Sequence, residues 1–230
     1  MRIERVIQQG SWDWLKLRAG KVCGSELKNL ITDKGKIRSW ASEMPNSYLC
    51  RKLAEKWLGQ ALESFQGSRQ TDQGTLWEPK ARAYFAALLE VDIEQVGGIE
   101  SDDKLLWCSP DGIISETTGL EIKVPNTDRH ISWLLDGQKV PDDHILQVQF
   151  GLFVSAWKAW HFLSWSNNLP HLAVPVEPDI LIQNTILDAV EEFKARFDKA
   201  WDTLCERNGG PPPPPKTFVP LWKQPAAQDE

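Results

Sequence analysis

Apolar residues along this chain recur with two periods, one of about 3.6 residues and one of two, and the alternation between them predicts an α/β fold. Residues 11 to 32 read as two short helices, the second opening at Gly24-Ser25-Glu26 with Ser25 as its N-cap. A longer helix follows, capped by Asn46, with Leu49, Leu53, Trp57 and Leu58 on its apolar face. A third runs from about Gln73 to Leu89 and places Glu78 and Arg82 on one face. The period then shortens. Strands are predicted near 91 to 99, 104 to 108, 111 to 116 and 119 to 124, a helix near 142 to 156, and late strands at Ala159 to Trp165 and His171 to Val176. Asp179 opens a long amphipathic helix to about Arg207. This order predicts a central mixed β-sheet flanked by helices, without internal repeats.

The 230 residues suit one domain with a sizeable core, placed at 1–207 with a helical N-terminal part (1–70) and an α/β core (71–207). Residues 208 to 230 change character, with five prolines from Pro211 to Pro215 and then Phe218, Leu221 and Trp222. The proline run predicts stiff polyproline II. The apolar residues beyond it are free to dock on the same domain, a neighbouring subunit or a partner, although such composition most often gives a disordered tail. No run of about 18 apolar residues occurs, and Met1-Arg2-Ile3-Glu4-Arg5 lacks a signal-peptide pattern. A soluble, cytoplasmic protein with no membrane partner is expected. The four cysteines are scattered without a C-x-x-C pair, so neither zinc nor an iron–sulfur cluster is indicated.

Net charge is −6, which argues against a nucleic-acid partner until it is divided along the chain. Residues 1 to 60 hold 12 basic and 6 acidic side chains, whereas the remainder carries −12. The basic N-terminal quarter is a candidate phosphate-facing surface, or a set of solvated helix faces. Of the 12 tryptophans, Trp57, Trp157, Trp160 and Trp165 read as core, while Trp12, Trp14 and Trp133 are candidates to stack on nucleobases should the partner be a nucleic acid.

Candidate chemistry is concentrated in Ser109-Pro110-Asp111-Gly112 and, ten residues after Asp111, Glu121-Ile122-Lys123. On a strand Glu121 and Lys123 project together while Ile122 turns to the core. The intervening residues read as a hairpin whose polar turn ends in Gly119, which would bring Asp111 beside Glu121. Two carboxylates, with the Ile122 carbonyl as a third oxygen, suit Mg²⁺, or Mn²⁺ in its place. Such an ion polarises a phosphoryl oxygen and lowers the pKa of a water, and Lys123 would position that water or stabilise developing charge. Spacing alone leaves open a surface hairpin with three unrelated charges.

Four ordered motifs separate these readings. Trp14-Leu15-Lys16-Leu17-Arg18 with Gly24-Ser25-Glu26, then Gly74 to Arg82, then Ser-Pro-Asp-Gly with Leu120-Glu121-Ile122-Lys123-Val124-Pro125, then Gln147-Val148-Gln149 resemble the phage lambda exonuclease-like (YqaJ-type) branch of the PD-(D/E)xK nucleases, over roughly residues 8 to 165. The resemblance implies that Asp111 and Glu121 bind Mg²⁺, that Lys123 is the catalytic lysine, and that Glu78 and Gln147 stand beside the metal and the catalytic water. It implies that Arg18 and Ser25 grip a terminal 5′-phosphate, for which a helix N-terminus and a planar guanidinium are suited. It also implies a 5′-to-3′ exonuclease on linear duplex DNA, a homotrimeric ring, a single-strand annealing partner and a phage or prophage setting. A structure-specific or restriction-type endonuclease and a non-catalytic DNA-binding scaffold are the alternatives, since one fold hosts many activities.

Overall fold

The computed structural model describes residues 1–62 and 69–212, with the side chains of 69–75 excepted. The proline-rich segment expected from 208 onward therefore lies mostly outside the described residues. Among the described residues eight strands form two four-stranded mixed sheets, flanked by helices. The first has the order β1 (Arg2–Glu4), β3 (Gly98–Glu100), β4 (Leu106–Cys108), β2 (Val22–Cys23). The second has the order β5 (Gly112–Ser115), β6 (Thr118–Lys123), β7 (Ala159–Ser164), β8 (Leu172–Val176). In the second sheet β6 and β7 are parallel, and both outer pairs are antiparallel. The N-terminal part is thus not purely helical, because β1 and β2 pair with strands from the α/β core.

The helices are α1 (Trp12–Arg18), α2 (Glu43–Leu58), α3 (Arg69–Leu89), α4 (Thr127–Leu135), α5 (Asp142–Ser155) and α6 (Ile180–Arg207), with a 3₁₀ helix at Gly24–Asn29. Side chains alternate along β7, so Trp160 and Phe162 join α5 and α6 in the main core. Leu163 turns the other way, with Leu120 and Ile122, towards Ala81 and Phe85 of α3 in a smaller core. Asp179 caps α6 as expected, accepting from the N–H groups of Leu181 at 2.9 Å and Ile182 at 3.2 Å.

Several local expectations are corrected. Helix α2 begins after Ser42 rather than at Asn46, because Pro45 needs no intrahelical donor partner and fits the first turn. Asn46 instead lies inside the helix and donates to the Ser42 carbonyl at 2.8 Å. Residues 91 to 99 do not form one strand. Their backbone bonds are divided between Ile113, bonded to Glu94 at 2.8 and 2.9 Å, and Glu4, bonded to Gly97 at 2.8 Å. Gly119 is a strand residue rather than the end of the turn, and a Cβ there would come within 2.6 Å of the Trp160 ring. Trp133 is buried in the main core, and its edge lines a cavity with Lys123 and His144. Among the described residues no helix is long and apolar enough to cross a membrane.

Candidate active site

The β5–β6 hairpin performs the juxtaposition its spacing predicts. Gly112 pairs with Leu120, the Asp111 N–H donates to the Leu120 carbonyl at 2.9 Å, and the Asp111 carboxylate accepts the Ile122 N–H at 2.6 Å. Asp111 itself sits at the corner just before β5, where Pro110 separates it from β4. Glu121 is buried on the face opposite Leu120 and Ile122, and one of its oxygens receives both Lys123 Nζ and Gln147 Nε2, each at 2.6 Å. Gln147 thus stands on α5 facing the sheet, as its place on that helix suggests.

From the other side α3 supplies Glu78, which is ion-paired with Arg82 one turn later. Arg82 also donates through Nε to the Asp111 carbonyl at 2.5 Å, so a single guanidinium ties the helix acid to the Asp111 corner. The i, i+4 spacing of the pair is visible in the sequence, but its reach to Asp111 is not. Gln9 gives no sequence signal, yet it donates to the Pro110 carbonyl at 2.8 Å and the Val96 carbonyl at 2.9 Å. It thereby pins the corner from outside the hairpin.

Three acids share this small region, and their electrostatics show it. Burial pushes the Asp111 carboxyl well above its ordinary range, and the nearby Glu121 and Glu78 push it further, against Lys123 and the Ile122 N–H. Burial likewise raises Glu78, with Arg82 opposing. Burial alone would lower Lys123, but Glu121 and Asp111 outweigh it and hold the ammonium protonated. Lys123 is therefore a positive charge aimed at the carboxylates.

Arg18 and Ser25 belong to the same concavity. A cavity of about 180 Å³ is lined by Trp14, Arg18 and Ser25 together with Ser109, Glu121 and Gln147. Arg18 is no surface arginine: only 8% exposed, it lies with its guanidinium 4.2 Å from the centre of the Trp14 ring, whose Nε1 donates to the Gly97 carbonyl at 2.8 Å. Ser25 does not cap an α-helix. The segment forms a six-residue 3₁₀ turn beginning one residue earlier, with Cys23 in the capping position and Ser25 exposed within the turn. The extended backbone of β2 runs up to Cys23, which fixes the start of the turn there.

With this geometry in view, residues 13–158 match the YqaJ-like viral recombinase domain, and the chain belongs to that family. Among solved structures it is similar to the alkaline exonuclease LHK-Exo from Laribacter hongkongensis, at 24% identity and a TM-score of 0.73 over 86% of this chain and 97% of that one. A structure of LHK-Exo in complex with dAMP matches equally well. A phage-related exonuclease from Haemophilus somnus 129PT is also similar, at 14% identity and a TM-score of 0.58 over 80% of this chain and 96% of that one. Comparison with curated proteins gives no match. Family membership and the shared exonuclease fold support a nuclease role.

Proposed function

We propose that this protein is a Mg²⁺-dependent exonuclease of the PD-(D/E)xK type that binds the end of linear duplex DNA. It digests one strand from 5′ to 3′ into mononucleotides and leaves a 3′ single-stranded overhang for recombination by strand annealing. The observation that carries the reading is that Arg18 and Ser25 line one cavity together with Glu121 and Gln147. A guanidinium and a hydroxyl suit a terminal phosphate, and the acidic end suits hydrolysis of the bond that follows it.

The donor set fits a hard divalent ion. Asp111 and Glu121 supply carboxylate oxygens whose mutual repulsion a cation would relieve. In an antiparallel pair a residue's N–H and C=O face the same partner, so the Ile122 carbonyl opens towards Asp111, to which its N–H is bonded. Among the described residues no group of three or more His, Cys, Asp or Glu stands where it could hold a metal ion, so the donor set is two carboxylates and one backbone carbonyl. That arrangement suits Mg²⁺, which keeps several waters and takes substrate phosphate as a ligand; Mn²⁺ would serve in its place. When bound there, the ion would supply a Lewis acid and a water of lowered pKa.

The remaining work falls to side chains. Gln147 spends its amide N–H on Glu121, which fixes the side chain and leaves its carbonyl oxygen to orient a water. Protonated Lys123 offsets charge developing on the phosphoryl oxygens. Glu78, held by Arg82, would stand beside the metal. A LHK-Exo structure contains dAMP, a mononucleotide of the product class expected here. A homotrimeric ring and a single-strand annealing partner, in a phage or prophage setting inside a bacterial cell, extend the same reading from the family.

The test uses linear duplexes bearing 5′-phosphate or 5′-hydroxyl, and a closed circle, with Mg²⁺ or a chelator. Mononucleotide release from linear DNA, preferring 5′-phosphate and requiring the ion, is expected. Cutting of the circle would favour an endonuclease, and inactivity on every substrate would favour a DNA-binding scaffold.

A further inference from the structure

Beneath the Arg18 and Ser25 end lies a set of buried charges that the proposed chemistry does not use. Lys52 and Glu55 of α2 are 1% and 0% exposed, and Glu26 of the 3₁₀ turn is 7% exposed. The Lys52 ammonium lies 2.8 Å from Glu26 and 2.9 Å from Glu55. Glu26 also accepts from the Tyr48 hydroxyl at 3.1 Å and from Arg51 at 2.9 Å. Glu55 accepts the Gly20 N–H at 3.0 Å.

Each end of this network holds one half of the phosphate pair. Glu26 is the chain neighbour of Ser25, and Gly20 stands in the turn that follows Arg18. That turn has no room to withdraw. Gly20 has φ +73°, and a Cβ there would lie 2.9 Å from the Lys56 Cβ. Core packing does not require such an arrangement, since apolar residues of similar volume often replace buried ion networks without loss of stability.

We infer that Lys52, Glu26 and Glu55 are positioning residues that fix the spacing of Arg18 and Ser25 for the terminal 5′-phosphate. The inference rests on the phosphate-binding reading given above. One ammonium draws two carboxylates to α2 and holds both turns in register with it, the support by packed and bonded neighbours that precise sites need. The same pairing, with Arg51, neutralises Glu26, which would otherwise repel a phosphate at the adjacent serine.

The test is a full-length variant with the network made neutral at nearly constant shape, Lys52→Met with Glu26→Gln and Glu55→Gln. Initial rates on 5′-phosphate and 5′-hydroxyl duplexes are measured beside thermal unfolding. The expected result is a rise of roughly tenfold to a hundredfold in KM for 5′-phosphate ends, from misplacement of the pair. Turnover of 5′-hydroxyl ends and Tm should stay close to those of the parent. Undiminished phosphate preference, or an equal loss on both ends with a lowered Tm, would overturn the inference. Should the triple variant fail to fold, Glu26→Gln alone, which keeps its size and an acceptor for Tyr48, carries the same comparison. A parent protein without phosphate preference would overturn the pocket itself and the positioning role with it. Preference lost in Arg18→Ala but kept in the neutral variant would remove the positioning role alone.

Discussion

At the acidic end of the site Asp111 and Glu121 are set by strand register, through bonds of 2.9 and 2.6 Å between the Asp111 corner and the Leu120–Ile122 backbone. At the other end Arg18 and Ser25 lie on a helix terminus and a 3₁₀ turn, and buried side-chain charges hold those turns to α2. A hairpin fixes neighbours that are close in sequence, whereas the N-terminal end depends on contacts such as Gly20 to Glu55, 35 residues apart. The acidic end should therefore respond to substitution in its chemistry, and the basic end in its selectivity.

The largest effect is expected from Lys123→Ala. Loss of a charge that acts on the developing phosphoryl negative charge should lower kcat by about a hundredfold or more, with duplex-end binding retained. Near-normal turnover would remove the assigned role. Arg18→Ala should leave turnover of 5′-hydroxyl ends intact and reduce the preference for 5′-phosphate by roughly tenfold or more, the scale of a charged hydrogen bond. Unchanged discrimination would detach the basic end from the function.

The acidic end should also carry a stability cost. Asp111 takes up a proton more readily in the folded than in the unfolded chain, so above its unfolded pKa the ionised carboxylate opposes folding. Asp111→Asn, which keeps an acceptor for the Ile122 N–H, should raise Tm without metal by about 2–4 °C per kcal/mol relieved. Mg²⁺ should then raise Tm in the parent and much less in the variant, as expected of a ligand that binds the folded state. Equal shifts in both would place the ion elsewhere.

The smallest effect concerns His144, half-buried against Trp133 with rings 5.3 Å apart. Burial, and then Lys123, hold its imidazole down to about 4, from an ordinary 6.5. Between those values the unfolded chain binds a proton that the folded chain refuses. Its contribution to stability is thus present above 6.5 and lost as pH falls towards about 4. His144→Gln should flatten that part of a Tm-against-pH curve, and an unaltered slope would contradict the assignment.

The same contrast explains what the sequence revealed. The Asp111–Glu121 hairpin, the Lys123 face and the inward Gln147 follow from periods of two and 3.6, which are local. So does the Asp179 cap, whose partners are two and three residues away. Arg82 reaching Asp111, Gln9 holding Pro110, and Lys52 between two glutamates depend on chain segments that meet only in the fold. Gly119 read as a turn residue because the ring it accommodates, Trp160, is 41 residues distant. Ser25 carried a capping signal, yet the strand before it displaced the start of the turn.

The central claim is that the two ends form one site acting on one DNA terminus. It is tested most directly by a structure of the Lys123→Ala variant with Mn²⁺ and a 5′-phosphorylated duplex. The terminal phosphate is expected against Arg18 and Ser25, with Mn²⁺ between Asp111, Glu121 and the next phosphodiester. A terminal phosphate bound elsewhere, or Mn²⁺ away from both carboxylates, would contradict it.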